Sequence, residues 1–315
     1  MAARTGLVVD SACDLPHWFI EQNDIAVLPI SIRVDDELWV DAREPARTLE
    51  FYEGEQVARS HDAESVPFSA QEIETLFLDR VVTEYDAAVI ETVTRSRSPV
   101  YENAQHAAHG ILAAYRPIRR HAGLDESFSL RVINTRTLFT GQAVIAAHTM
   151  DCIREGARLP AIRQSVEALA GRVYAYAVPP DVFYLRERAR RKGDDSVSWM
   201  GATVARAFDV KPILCAREED TYPVARVRGH EAGMAQLFEY ACRRIERGLS
   251  VPYVCVSYAG DPAALERLPH YRALQETAEA HQVQILTAIM CLTGGVNLGP
   301  GTLSLALAAP PHEFV

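Results

Sequence analysis

No apolar run in the 315-residue sequence approaches the roughly 18–20 residues that a membrane helix requires. The start, MAARTG, passes directly into a strand-like run, with neither the apolar core nor the cleavage pattern of a secretory signal. The expectation is a cytoplasmic protein without stable membrane insertion, with transient membrane contact left open. Cysteines 13, 152, 215, 242, 255 and 291 form no C-x-x-C pair and lie partly in apolar runs, as small buried hydrophobes do in a reducing compartment. Positive charge is in deficit: the formal net charge of −10 opposes general nucleic-acid binding, whose affinity comes from neutralising phosphates. No Gly-Lys-Ser/Thr phosphate loop or H-x-x-E type metal constellation accompanies the two acids Asp10 and Asp14 near the start of the chain, and there is no internal repeat or low-complexity tract. His106 and His109 stand three apart on a predicted helix, a spacing zinc ligands can use, but no third His or Cys is near in sequence, so neither a metal nor another cofactor is expected.

What is present is the balance of a soluble globular chain, 48% apolar and 23% charged, long enough for two domains. In the first half, strand-like runs at 6–10, 25–33, 86–93 and 130–134 alternate with helical patterns at 15–23, 48–58, 70–80, 100–116 and 140–155. That alternation predicts crossover units and a mainly parallel sheet, which takes ligands at the carboxyl ends of its strands. After a helical stretch at 156–170 the pattern changes. Runs at 174–178, 210–214, 222–228, 251–258 and 283–290, helical stretches around LRERARRKG, 230–248 and 262–281, and the acidic loop AREEDT predict a mixed, largely antiparallel sheet with one hairpin, covered by helices. The expected fold is therefore α/β with two domains, 1–160 and 161–315.

The loops carry the chemistry. GLVVDSACDLP (6–16) ends a strand on Asp10-Ser11, and Ser11 with Asp14 fits S-x-x-D, a relative of the helix capping box. The same loop could instead wall a ligand site. SHDAESVPFSAQE (60–72) and TVTRSRSPVYENA (92–104) place hydroxyls at further strand ends or helix starts, where they can cap helices or converge on a polar head group. NLGPGTLSLAL (297–307) is a tight turn or a close backbone approach to a ligand. The basic clusters at 116–121, 186–192 and 243–247 are solvated helix faces or a docking surface for an acidic partner.

Taken in order, these loops resemble the DegV family, bacterial fatty-acid-binding proteins that serve as the lipid-carrying subunit of fatty acid kinase. DSACDLP is similar to the family's D-S-x-x-D-L-P, VLPISI (27–32) and WVD (39–41) to its next two motifs, and VINTRTLFTGQA (132–143) to V-I-D-S-x-x-x-S-x-G-x-G. DVKPIL (209–214) and NLGPGT (297–302) resemble I-K-P-I-L and H-x-G-P-G-T, so the likeness spans essentially the whole chain. The family's carboxylate-binding positions fall here on Glu64-Ser65, Thr94-Arg95 and Asn297, and its Gly-Gly-Arg-Ile-Ser stretch on KGDDSVSWMG (192–201).

The resemblance implies a non-catalytic carrier that holds a fatty acid between its domains and presents the carboxyl group to a kinase catalytic subunit. It assigns ligand contacts to Ser65, Thr94, Arg95, Asn297, Gly299 and Gly301, and loop ordering to Asp10, Ser11 and Asp14. Glu64 would repel a carboxylate unless it points away. Arg186, Arg188, Arg190, Arg191 and Lys192 are the kinase-docking candidates, with Arg243–Arg247 as a second basic surface. The alternatives are a hydrolase or transferase using Asp10, Asp14 and a hydroxyl, or a carrier of another amphiphile.

Overall fold

The structure, a computed structural model, describes residues 4–54, 62–191 and 209–315. Strand β1 (Thr5–Asp10), helix α1 (His17–Gln22), β2 (Ala26–Leu28), β3 (Ile30–Val34), β4 (Glu37–Asp41), α2 (Pro45–Glu53) and β5 (Glu64–Pro67) open the chain. The run expected as one strand, 25–33, is two. Pro29 offers no N–H to a ladder, and the chain changes sheets there: β2 pairs parallel with β1, whereas β3 pairs antiparallel with β4 and β5. The resulting three-stranded sheet is an addition to the expected architecture.

Helix α3 (Ala70–Leu76) continues through a π-turn at Phe77–Val81, followed by β6 (Ala87–Thr92), α4 (Val100–Gly110), α5 (Tyr115–His121) and β7 (Ser129–Asn134). The first sheet has the order β2-β1-β6-β7 and is parallel throughout.

Two helices then join the halves, α6 (Thr140–Arg154) and α7 (Leu159–Ala170). The second half comprises β8 (Val173–Val178), α8 (Val182–Arg191), β9 (Val210–Arg217), β10 (Asp220–Arg228), α9 (His230–Glu246), β11 (Tyr253–Tyr258), α10 (Pro269–Ala280), β12 (Gln284–Ile289), α11 (Leu292–Leu298) and β13 (Leu303–Ala308). Its six strands run β10-β9-β8-β13-β11-β12, antiparallel except for the final pair, which is the mixed sheet expected.

Helix α6 is apolar on nearly every side, with Ala143, Val144, Ile145, Ala146 and Ala147 fully buried, the mark of a helix without a solvent face. It lies between the sheets, against β1 and β6 on one side and β8, β11 and β13 on the other. One buried cluster accordingly runs from Leu7 and Val9 through α6 to Cys255 and Ala306. A second tie is the β9–β10 hairpin, whose turn, Glu218-Glu219, has φ of 50° and 76°. Glu219 carries that unfavourable conformation while its carboxylate accepts from Asn134 Nδ2 at 2.6 Å and its N–H donates to the Arg136 carbonyl at 3.0 Å.

Among the described residues, each of the basic clusters read as solvated contributes one buried arginine: Arg119, Arg188 and Arg244. Arg119, fully buried, donates to the Val82 and Tyr85 carbonyls and pairs with Asp86 at 2.7 Å. The six cysteines are unpaired, and five of them are buried.

Candidate functional site

The first sheet reverses its direction of growth between β1 and β6, and open α/β sheets take ligands at the carboxyl ends of such a pair. DSACDLP leaves β1 at that point. Asp10 is fully buried; it accepts N–H bonds from Ala12 (3.0 Å) and Val93 (2.5 Å) and one from Gln142 Nε2 (3.3 Å), tying the ends of β1 and β6 together. Burial pushes its carboxyl up to about 6, against the opposing pull of the Val93 bond.

Ser11 and Asp14 do not cap a helix. Helix α1 starts only at His17, with Pro16 in extended conformation as its N-cap and no side-chain cap. Proline disfavours helical geometry at Leu15, which carries the loop past capping distance. Ser11 Oγ accepts from Ile30 N–H at 2.9 Å instead. Asp14 reaches into the second half, accepting from Ser257 Oγ at 2.6 Å and Cys291 N–H at 2.8 Å, and it faces Arg43 Nη1 at 3.4 Å. Arg43, 6% exposed, donates to the Ile289 carbonyl at 2.9 Å, and Asp41 accepts from Leu292 N–H at 2.8 Å. Burial raises both aspartates from the usual carboxylate range, and Arg43 opposes it. This buried network fastens β1 and β4 to the start of α11.

Beside it lies an apolar seam drawn from both halves: Ala12, Ile30, Val93, Val100, Phe139 and Cys291, with Leu298 packed against them. Leu298 also packs against Leu185 and Leu214, and against the cluster of Ile32, Phe51 and Val296. Phe139 enters with φ of 49°, a conformation a bulky residue rarely holds outside functional sites.

Register decides which way the candidate side chains point. Ser65 stands opposite Ile32 and shares its face, towards α11, whereas Glu64 stands opposite Arg33 on the outer face and pairs with it at 3.2 Å. Glu64 therefore points away. The hydroxyls of Ser65, Thr92, Thr137 and Thr293 are buried and accept or donate no hydrogen bond among the described residues; such orphaned groups are uncommon and mark places for water or a ligand. Thr94 is buried, its hydroxyl 3.2 Å from Ser96 Oγ. Arg95 turns instead to Glu219, at 3.2 Å.

Asn297 accepts from Arg188 Nε at 3.3 Å and donates to the Thr293 carbonyl at 2.7 Å. Arg188, expected on a docking surface, is thus an interior residue, 6% exposed: the face of α8 that carries it packs on α11. Arg186 is exposed, and Arg190 is exposed and pairs with Glu187 at 2.8 Å. The Arg191 side chain, Lys192 and the KGDDSVSWMG stretch lie outside the described residues. Gly299 and Gly301 have φ of 96° and 82°, which the turn itself requires, and the Tyr184 ring fills the space beside Gly299. Among the described residues no three His, Cys, Asp or Glu side chains are placed to hold a metal, and no helix is long and apolar enough to cross a membrane.

With this geometry in place, the sequence profile described as "Uncharacterised protein, DegV family" matches residues 4–309. The chain belongs to the DegV family. A DegV domain-containing protein of Xanthomonas axonopodis pv. citri is 44% identical over 99% of both chains. Among solved structures, a stearic acid-binding protein from Eubacterium ventriosum superposes with a TM-score of 0.76 at 18% identity, over 97% of this chain and 98% of its own. DegV of Bacillus subtilis, described as a fatty acid binding protein, superposes with a TM-score of 0.73 at 17% identity, over 98% and 100%. At such identities the superpositions establish a shared DegV fold.

Against that fold, reading the loops singly missed Arg43 and Phe139 and gave Arg188 a docking role in place of an interior one. The one available signal was WVD (39–41), whose Asp41 lies two residues before Arg43. Nothing local distinguishes Arg188 from the exposed arginines two residues either side.

Proposed function

We propose that this DegV protein binds a long-chain fatty acid between residues 1–160 and 161–315, and presents its carboxyl group to a fatty acid kinase for acyl phosphate formation without catalysing the step itself. The supporting observation is the apolar seam around Leu298, together with two buried hydroxyls that are unpartnered among the described residues: Ser65, on the Ile32 face, and Thr293, on the helix that carries Leu298. An acyl chain of about sixteen methylenes gains roughly 0.8 kcal/mol for each one buried there, before the cost of ordering it. Ser65 and Thr94 donate to the carboxylate, and the Arg188–Asn297 pair supplies positive charge from the opposite half. Arg186 and Arg190 remain for the kinase, and the acyl phosphate feeds phospholipid synthesis in the cytoplasm.

Native mass spectrometry of the protein purified from bacteria tests the reading. The expected result is a co-bound fatty acid, released on denaturation and depleted by Leu298→Trp, which fills the seam. A protein that carries no lipid as purified and takes up none of the fatty acids offered would overturn it. The hydrolase alternative needs Asp10 and Asp14 free to react, but both are fully buried and committed to the hydrogen bonds described above.

A further inference from the structure

Among the described residues the parallel sheet ends on β7, whose one ladder partner is β6. Ser129 N–H reaches the Asp86 carbonyl at 3.1 Å and Thr135 N–H the Thr92 carbonyl at 3.2 Å. Direction alternates along a strand, so the odd-numbered residues face β6, while Leu130, Val132 and Asn134 turn their N–H and C=O groups outward. At Asn134 the side-chain amide donates to Glu219 and brings the hairpin turn over that end of the strand, and the Leu130 carbonyl takes Arg131 Nη1 at 2.8 Å. Among the described residues the N–H groups of Leu130 and Val132 and the Val132 carbonyl meet no hydrogen-bond partner.

A groove of about 730 Å³ runs along this edge. One wall is α4 and the turn after it, where Leu112 is 61% exposed and Tyr115 packs near Leu130 and Val132. The other wall is α7, on the face Arg131 shares with Ile133. Four arginines line the groove against two glutamates. Glu167 pairs with Arg163 at 2.7 Å and Glu219 with Arg95 at 3.2 Å; among the described residues Arg131 and Arg136 form no ion pair within 4 Å, Arg136 donating to the Glu167 carbonyl at 3.0 Å. The groove thus carries excess positive charge on a chain whose net charge is −10. Natural sheet edges are normally shielded, because an open one pairs with whatever extended chain arrives.

We propose that the free edge of β7 accepts an extended acidic segment of a partner protein as an added strand. Main-chain hydrogen bonds to Leu130 and Val132 supply affinity, and alternate side chains supply selectivity: acidic residues turn towards Arg131 and Arg136, apolar ones towards Leu112 and Tyr115. A second copy of this chain would oppose the same uncompensated arginines to each other, so charge favours an acidic partner over self-pairing.

The test is fluorescence anisotropy of the full chain with a labelled Glu-Val-Glu-Val-Glu-Val peptide and its Lys-Val counterpart. The acidic peptide is expected to bind saturably and at least tenfold more tightly than the basic one, and the Arg131→Glu/Arg136→Glu variant to reverse that order while its melting temperature holds. Amide exchange at Leu130 and Val132 should slow at least tenfold with the acidic peptide bound. No binding of the acidic peptide, equal binding by the charge-reversed variant, or protection elsewhere on the chain overturns the proposal. So does a concentration-dependent dimer that protects β7 without peptide.

Discussion

Asp14 and Arg43 meet at 3.4 Å with almost no exposure to solvent, so each depends on the other's charge. Removing one partner of a buried pair leaves an uncompensated charge, which typically costs about 3–5 kcal/mol. Asp14→Ala is expected to lose stability on that scale in chemical denaturation, with Asp14→Asn losing less because the amide can still accept from Ser257. Glu91 is the opposite case. It is fully buried on β6, bonded to Thr149 Oγ1, and burial pushes its carboxyl from 4.5 up to about 8. A folded-state value above the unfolded one means that the protonated form favours folding fully below about pH 4.5, and that this contribution is lost as pH rises through about 8. Melting temperature should therefore fall between pH 5 and 9, by the equivalent of on the order of 4–5 kcal/mol from this group. Glu91→Gln, neutral throughout, should remove that component; an unchanged pH profile in the variant would exclude Glu91 as its source.

At the scale of elements, two S-x-x-acid motifs met different fates. Ser69 and Glu72 form a reciprocal capping box at the start of α3, the Ser69 N–H donating to Glu72 Oε2 at 2.8 Å. Ser11 and Asp14 have the same spacing and bind across the molecule. Ser69→Ala should cost about 1 kcal/mol and leave lipid binding intact. Ser11→Ala frees the buried Ile30 N–H and should disturb both stability and lipid occupancy, measured by native mass spectrometry. Legibility differed in the same way among elements. The β9–β10 hairpin could be read from two apolar runs around an acidic loop. β4 and β5 could not, being short and lying on a small sheet whose outer face carries Leu38 and Val40 in the open.

For the whole molecule, α6 is the element that makes two halves one body. Its alanines sit between two sheets, where added volume has nowhere to go. Ala146→Leu is expected to cost about 1–3 kcal/mol and to lower the melting temperature of both halves together, as amide exchange can follow. Separate transitions for the two sheets would show that the shared core does not couple them.

By itself the sequence determined the family, the alternation that builds a parallel sheet in one half and a mixed one in the other, and the loops that meet at the carboxyl ends of β1 and β6. Those features are local or collinear, carried by periodicity and by short motifs in a fixed order. Tertiary structure alone decided that Asp14 binds Ser257 and Cys291, that Glu64 turns away while Ser65 turns in, and that Arg188 is interior while Arg186 and Arg190 are exposed. Each of those outcomes depends on strand register or on a contact between distant segments, and the free energy of burying a charge is set by what the fold brings beside it.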